Sequence, residues 1–126
     1  MKLVYSLFLI IFLSSVCFSG QENTNLAEGG TLRALDKVTG IARDIYLRQG
    51  ETLKLGKLII ILGECRYPIS NPVGDAFVHI TVVDQKGEET YFRGWMVASS
   101  PALNALDHVR YDVWPLRCSN SSVATE

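Results

Sequence analysis

The sequence predicts an all-β fold, a small antiparallel β-sandwich or barrel with one short helix near residues 100–107. Three observations carry this reading. Apolar residues recur at every second position through much of the stretch from Leu32 to Cys118, turn signals interrupt that alternation at short intervals, and two cysteines stand far apart within it. A period of two marks a half-buried strand, and six or seven such strands share one core by facing each other in two layers or closing into a barrel.

Residues 32–38 form the first run and end at Thr39-Gly40, a turn signal. Ile41, Ile45 and Leu47 then occupy one side of a strand, with Arg43 interrupting that side. Arg48-Gln49-Gly50-Glu51 is the next turn. Leu53 and Leu55 alternate with Thr52 and Lys54 until Gly56-Lys57 breaks the run. Leu58-Ile59-Ile60-Ile61-Leu62 is apolar on both faces and β-branched, so it is expected to be the most buried strand. Residues 66–75, with two prolines and a glycine, read as a loop. Ala76, Val78, Ile80 and Val82 make one face of a strand. Asp84-Gln85-Lys86-Gly87 turns it, with Gly87 placed for the left-handed position, and the return strand covers residues 90–97. There Tyr91, Arg93 and Trp95 are expected on one face, Phe92 and Met96 on the other. Ser100 is suited to cap a helix, Pro101 to take its first position, and Leu103 and Leu106 to share its face. The last strand covers residues 111–118, where Pro115 has no N–H to give to a ladder and so belongs at a sheet edge.

Ahead of this domain, residues 1–19 carry one lysine, an uncharged apolar stretch and then small residues, the layout of a secretory signal peptide. The apolar run from Leu3 to Leu13 is shorter than the roughly 20 residues a spanning helix needs. Cleavage after Ser19 is expected; an uncleaved anchor is the rival, and lipid attachment at Cys17 is a poor fit because Val16 precedes it. The expected organisation is a signal peptide at 1–19, a disordered leader at 20–30, a single β domain at 31–118 and a disordered tail at 119–126. Export also decides the cysteines. Loss of Cys17 leaves Cys65 and Cys118, and an even pair in an oxidising compartment argues for one disulfide rather than two unrelated buried thiols. The mature domain is not expected to span a membrane. Lys2 is the one charge in residues 1–19, so the formal net charge of −1 becomes −2, which gives no electrostatic reason to expect nucleic acid as a partner.

Chemistry-bearing motifs are sparse. Ser99, Ser100, His108 and Asp112 supply the residue types of a serine hydrolase, but no G-x-S-x-G elbow frames either serine, and Ser100 has a structural role as a cap. His79 and His108 are the two histidines, in no metal-ligand spacing, so neither metal nor cofactor is expected. His79 alternates with the apolar face of its strand and should face solvent or a partner. The aromatics offer more. Tyr91, Arg93, Trp95, His108, Tyr111, Asp112 and Trp114 form the candidate partner-binding set, because Trp, Tyr and Arg are favoured at interfaces; the rival reading is that the aromatics fill the core.

Three segments carry a family resemblance: Leu35-Asp36-Lys37-Val38-Thr39-Gly40, the run from Gly94-Trp95-Met96 to Leu103, and His108 followed by Tyr111-Asp112-Val113-Trp114 and Cys118. Together they resemble a Gram-negative bacterial family, domain-of-unknown-function family 2155, over about residues 32–118. The family usually has proline after its histidine, where this chain has Val109, and more usually an aliphatic residue where it has Pro115. The resemblance implies an envelope protein, hence the periplasm, and brings no assigned activity, substrate or catalytic residue. It makes Asn120-Ser121-Ser122, formally a glycosylation sequon, tail sequence. The function expected is a non-enzymatic binding or accessory module for another envelope component, protein or glycan. The alternative is a small serine-type hydrolase.

Overall fold

The computed structural model describes residues 23–120 and is built entirely of strands and turns. The expected signal peptide with Cys17, residues 20–22 of the leader and residues 121–126 of the tail lie outside the described residues. Eight strands follow in order: β1 (Thr24–Leu26), β2 (Gly29–Asp36), β3 (Ala42–Arg48), β4 (Thr52–Leu55), β5 (Leu58–Pro68), β6 (Phe77–Asp84), β7 (Thr90–Val97) and β8 (Tyr111–Ser119). They form two antiparallel sheets that face each other without closing into a barrel. One has the order β1-β5-β6-β7, with β4 also pairing β5; the other is β3-β2-β8.

Pattern explains most of this. In β5 Leu58, Ile60 and Leu62 are buried while Ile59 and Ile61 are half-buried, so one face makes the core and the other lines the outside of the sheet. Opposite residues Ile80 and Val82 on β6 and Met96 on β7 are buried with them, against Leu32, Val113 and Pro115 of the second sheet. Fully burying such a side chain contributes about 1.5–3 kcal/mol. Pro115 sits in β8, which pairs β2 alone, so the edge position expected from its missing N–H is the one found. Gly40, Gly50, Gly56 and Gly87 have positive φ, each at a turn marked in the sequence.

Three expectations need correcting. The leader is not wholly irregular: Thr24–Leu26 pairs with Pro68, Tyr67 and Arg66 of β5, and Ala27 is buried with its N–H on the Cys65 carbonyl. Polar Thr24 and Asn25 hid a strand held by backbone pairing. The same pairing extends β5 to Pro68, three residues into the stretch read as a loop. The helix near 100–107 is absent. Ser100 donates its N–H to Val97 and accepts from the Leu103 N–H, a single turn in which Pro101 is the second residue. Asn104 then donates its side-chain amide to the Trp95 carbonyl, drawing the chain along the free edge of β7 in place of a second helical turn. Leu103 is exposed and Leu106 buried, so the two do not share a face.

The disulfide joins the layers. Cys65 of β5 and Cys118 of β8 are bonded, with Cα atoms 5.6 Å apart, which fastens the central strand of one sheet to an edge of the other. Gly30 lies against this bridge; a Cβ there would come within 2.7 Å of the Cys65 sulfur.

Candidate functional site

At one end the inward side of β3 runs out of the core. On the inward side of β3, Leu47 is buried, Ile45 half-buried, and Arg43 exposed although it stands opposite the buried Ala34. A mouth of about 400 Å³ opens there, lined by Ala34, Asp36, Ile41, Arg43, Leu55 and Tyr111. Beyond Tyr111 and Gly56 it continues into a groove of about 710 Å³, whose lining includes Lys57, Lys86, Tyr91, His108, Val109 and Arg110.

The wall between them is built from His108 and its neighbours. The His108 Nδ1 accepts backbone N–H bonds from Arg110 and Tyr111, both 3.1 Å, so the ring proton of the neutral side chain sits on Nε2. Its ring stacks on Tyr111 at 5.7 Å and meets Tyr91 edge-on at 5.1 Å. The Arg110 guanidinium lies over the Tyr111 ring at 5.2 Å and pairs with Asp36 at 2.9 Å. That hydrogen bond holds the Asp36 carboxyl well below its ordinary 3.8, at about 2; the Val38 and Thr39 N–H groups assist it. Lys37 donates from Nζ to the His108 carbonyl and from its backbone N–H to the Arg110 carbonyl, tying the β2–β3 turn to the segment before β8. Burial, with Glu89 nearby, pushes the Tyr91 phenol up.

Of the seven expected binding residues, the structure brings Tyr91, His108 and Tyr111 together. The others lie elsewhere. A bulge opposite Val82 and Val83 leaves Tyr91 unpaired and turns it from the face it was expected to share with Arg93 and Trp95. Those two stay on the outside of the first sheet, where the half-exposed Trp95 meets His79 edge-on at 5.3 Å. Asp112 and Trp114 alternate with the inward Tyr111 and Val113, and line a hollow of about 370 Å³ with Pro101, Ala102 and Ala105. Asp36, Arg43, Lys57, Val109 and Arg110 were not among the expected residues. Arg43 alone had a signal, a charge on an apolar face.

The hydrolase constellation is not assembled. Ser99 Oγ donates to Asp75 at 2.7 Å and its N–H bonds the same carboxylate, which anchors the chain as it leaves β7. His108 spends Nδ1 on backbone donors, and Asp112 points to the outer face. Among the described residues no His, Cys, Asp and Glu group suits a metal ion, and no helix is long and apolar enough to cross a membrane.

Comparison with known proteins gives two matches. The model of a family described as "Uncharacterized protein conserved in bacteria (DUF2155)" matches residues 30–118. A protein of Rickettsia prowazekii (strain Madrid E), "Uncharacterized protein RP359", is 30% identical over 92 residues, covering 71% of this chain. The match spans 59% of that relative's own length. No solved structure matches.

Proposed function

The chain belongs to that family of bacterial proteins, DUF2155, and from this premise we propose that it is an exported, periplasmic, non-enzymatic module whose open end binds an extended polypeptide segment of another envelope component. The observation that carries the reading is the set of exposed aliphatic side chains at this end. Ile41 in the mouth and Val109 in the groove are 61% and 93% exposed, and Val38, 73% exposed, stands in the β2–β3 turn that Lys37 holds beside the segment of Val109. Exposed aliphatic side chains around a concave surface favour apolar contact with a partner.

A polypeptide fits better than a glycan for a specific reason. Sugars are gripped by open aromatic faces, yet Tyr111 is buried, with His108 stacked on its ring and Arg110 over it, and Tyr91 is half-buried against His108. Aliphatic rim groups and the polar edges of the groove suit side chains and backbone instead. The layout at residues 1–19 supports export, and the Cys65–Cys118 bridge agrees with an oxidising compartment.

The test is capture from crosslinked envelopes with the tagged wild-type chain and with the Val38→Asp/Val109→Asp double variant. Both sites are exposed, so the fold tolerates the change. The wild type should retain a defined envelope protein that the double variant loses. Equal retention by both would place the partner away from the groove.

A further inference from the structure

Arg43 is the odd member of the mouth. Its register partner Ala34 is 3% exposed and belongs to the core, so the arginine stands on the side of β3 that faces the opposite sheet. The acid of the mouth is already matched: Asp36 takes Arg110, from the groove, and two backbone N–H groups. On the outer side of the same hairpin Arg33 and Asp44 form a bidentate pair, with 2.7 and 3.0 Å bonds. Among the described residues Arg43 has no ion pair and no side-chain hydrogen bond. The mouth it lines also holds Ala34, Ile41 and Leu55, whose side chains offer no acceptor, and Asp36, Thr39 and Tyr111, of which the Asp36 carboxylate is taken by Arg110 and the Thr39 hydroxyl accepts the Ile41 N–H.

A guanidinium presents a planar fork of donors that matches a carboxylate and can hold it through two parallel charge-assisted bonds. We propose that Arg43 is a carboxylate-binding residue, so that the polypeptide recognised at this end carries an acidic group flanked by aliphatic side chains. The carboxylate enters the mouth, and the aliphatic neighbours rest on Ile41, Val38 and Val109. The inference rests on the polypeptide reading above and adds the chemistry of the partner. The acidic group has two sources, an Asp or Glu side chain or a chain terminus.

Selection of random heptapeptides on the purified chain tests it, with one library displayed through its C-terminus, leaving side-chain carboxylates alone, and one with free C-termini. Enrichment of acidic, aliphatic peptides in the first library identifies a side chain, and enrichment in the second alone identifies a terminus. Arg43→Gln should bind the selected peptides at least tenfold more weakly, and Arg43→Lys should fall between. If peptides sensitive to Val38→Asp/Val109→Asp enrich without a carboxylate, or bind Arg43→Gln as tightly as wild type, the inference is wrong and the polypeptide reading stands. If no enriched peptide is sensitive to that double change, or none enriches, both fall.

Discussion

Tyr111 covers Gly56. A β-carbon built at Gly56 falls on the Tyr111 phenol, and the glycine holds φ +58°, a conformation L side chains rarely adopt. The contact lies where the groove and the mouth meet, since both are lined by this pair.

Gly56→Ala therefore meets two obstacles, backbone strain of about 1–2 kcal/mol and displacement of a packed ring. Gly87, at φ +70° with nothing within 4 Å, meets the first alone. Thermal melts should show Gly56→Ala lowered by roughly 10 °C or more, well beyond Gly87→Ala. Equal losses would mean that Tyr111 does not rest on the glycine.

His108→Ala removes the acceptor of two N–H groups; Arg110's is exposed and turns to water, while the part-buried one of Tyr111 is left unsatisfied at a cost of about 1 kcal/mol. An asparagine carries its carbonyl oxygen close to where Nδ1 sits, so His108→Asn should recover much of the loss in urea denaturation. A histidine acting through its ring chemistry would gain nothing from asparagine.

Acid should loosen the site through Asp36. Its folded pKa of about 2 lies below the ordinary 3.8, so its pairing with Arg110 stabilises the fold above pH 4 and is lost as pH falls through about 2. Wild type should melt above Asp36→Asn at pH 6, and the gap should shrink between pH 4 and 2. A gap independent of pH would contradict the pairing.

The bridge between Cys65 and Cys118 closes a loop with a sequence separation of 53. In the chain-entropy model such a loop is worth about 4 kcal/mol. The protein purified under oxidising conditions should show no free thiol from these two, and Cys65→Ala/Cys118→Ala should lose stability of that order in urea. A loss under about 1 kcal/mol would leave the bridge without a structural role.

The fold was legible where a residue forbids alternatives. Pro115 has no N–H, and so marked an edge; the four turn glycines marked reversals. It was illegible where backbone pairing decided. Nothing in Thr24-Asn25-Leu26 distinguishes a strand from a leader, because its bonds come from β5. At the site, Tyr91 was misplaced because a period of two carries no mark of the bulge that turns it. Asp36 and Arg110 are 74 positions apart, so no local pattern joins them. Arg43 was visible as an interrupted apolar face, and its meaning lay in where that face leaves the core.

Photocrosslinking in the living bacterium tests most directly whether the open end is where the protein works. A benzophenone side chain placed at Val109, in the groove, or at Ile41, in the mouth, reports on the open end. The same group at Val73, 97% exposed in the loop after Pro68 at the far end of β5, reports on the opposite end. Irradiation should join the Val109 and Ile41 proteins to one common envelope protein, with the Val73 protein unlinked. Linkage of that protein from Val73, with none from Val109 or Ile41, would contradict the account.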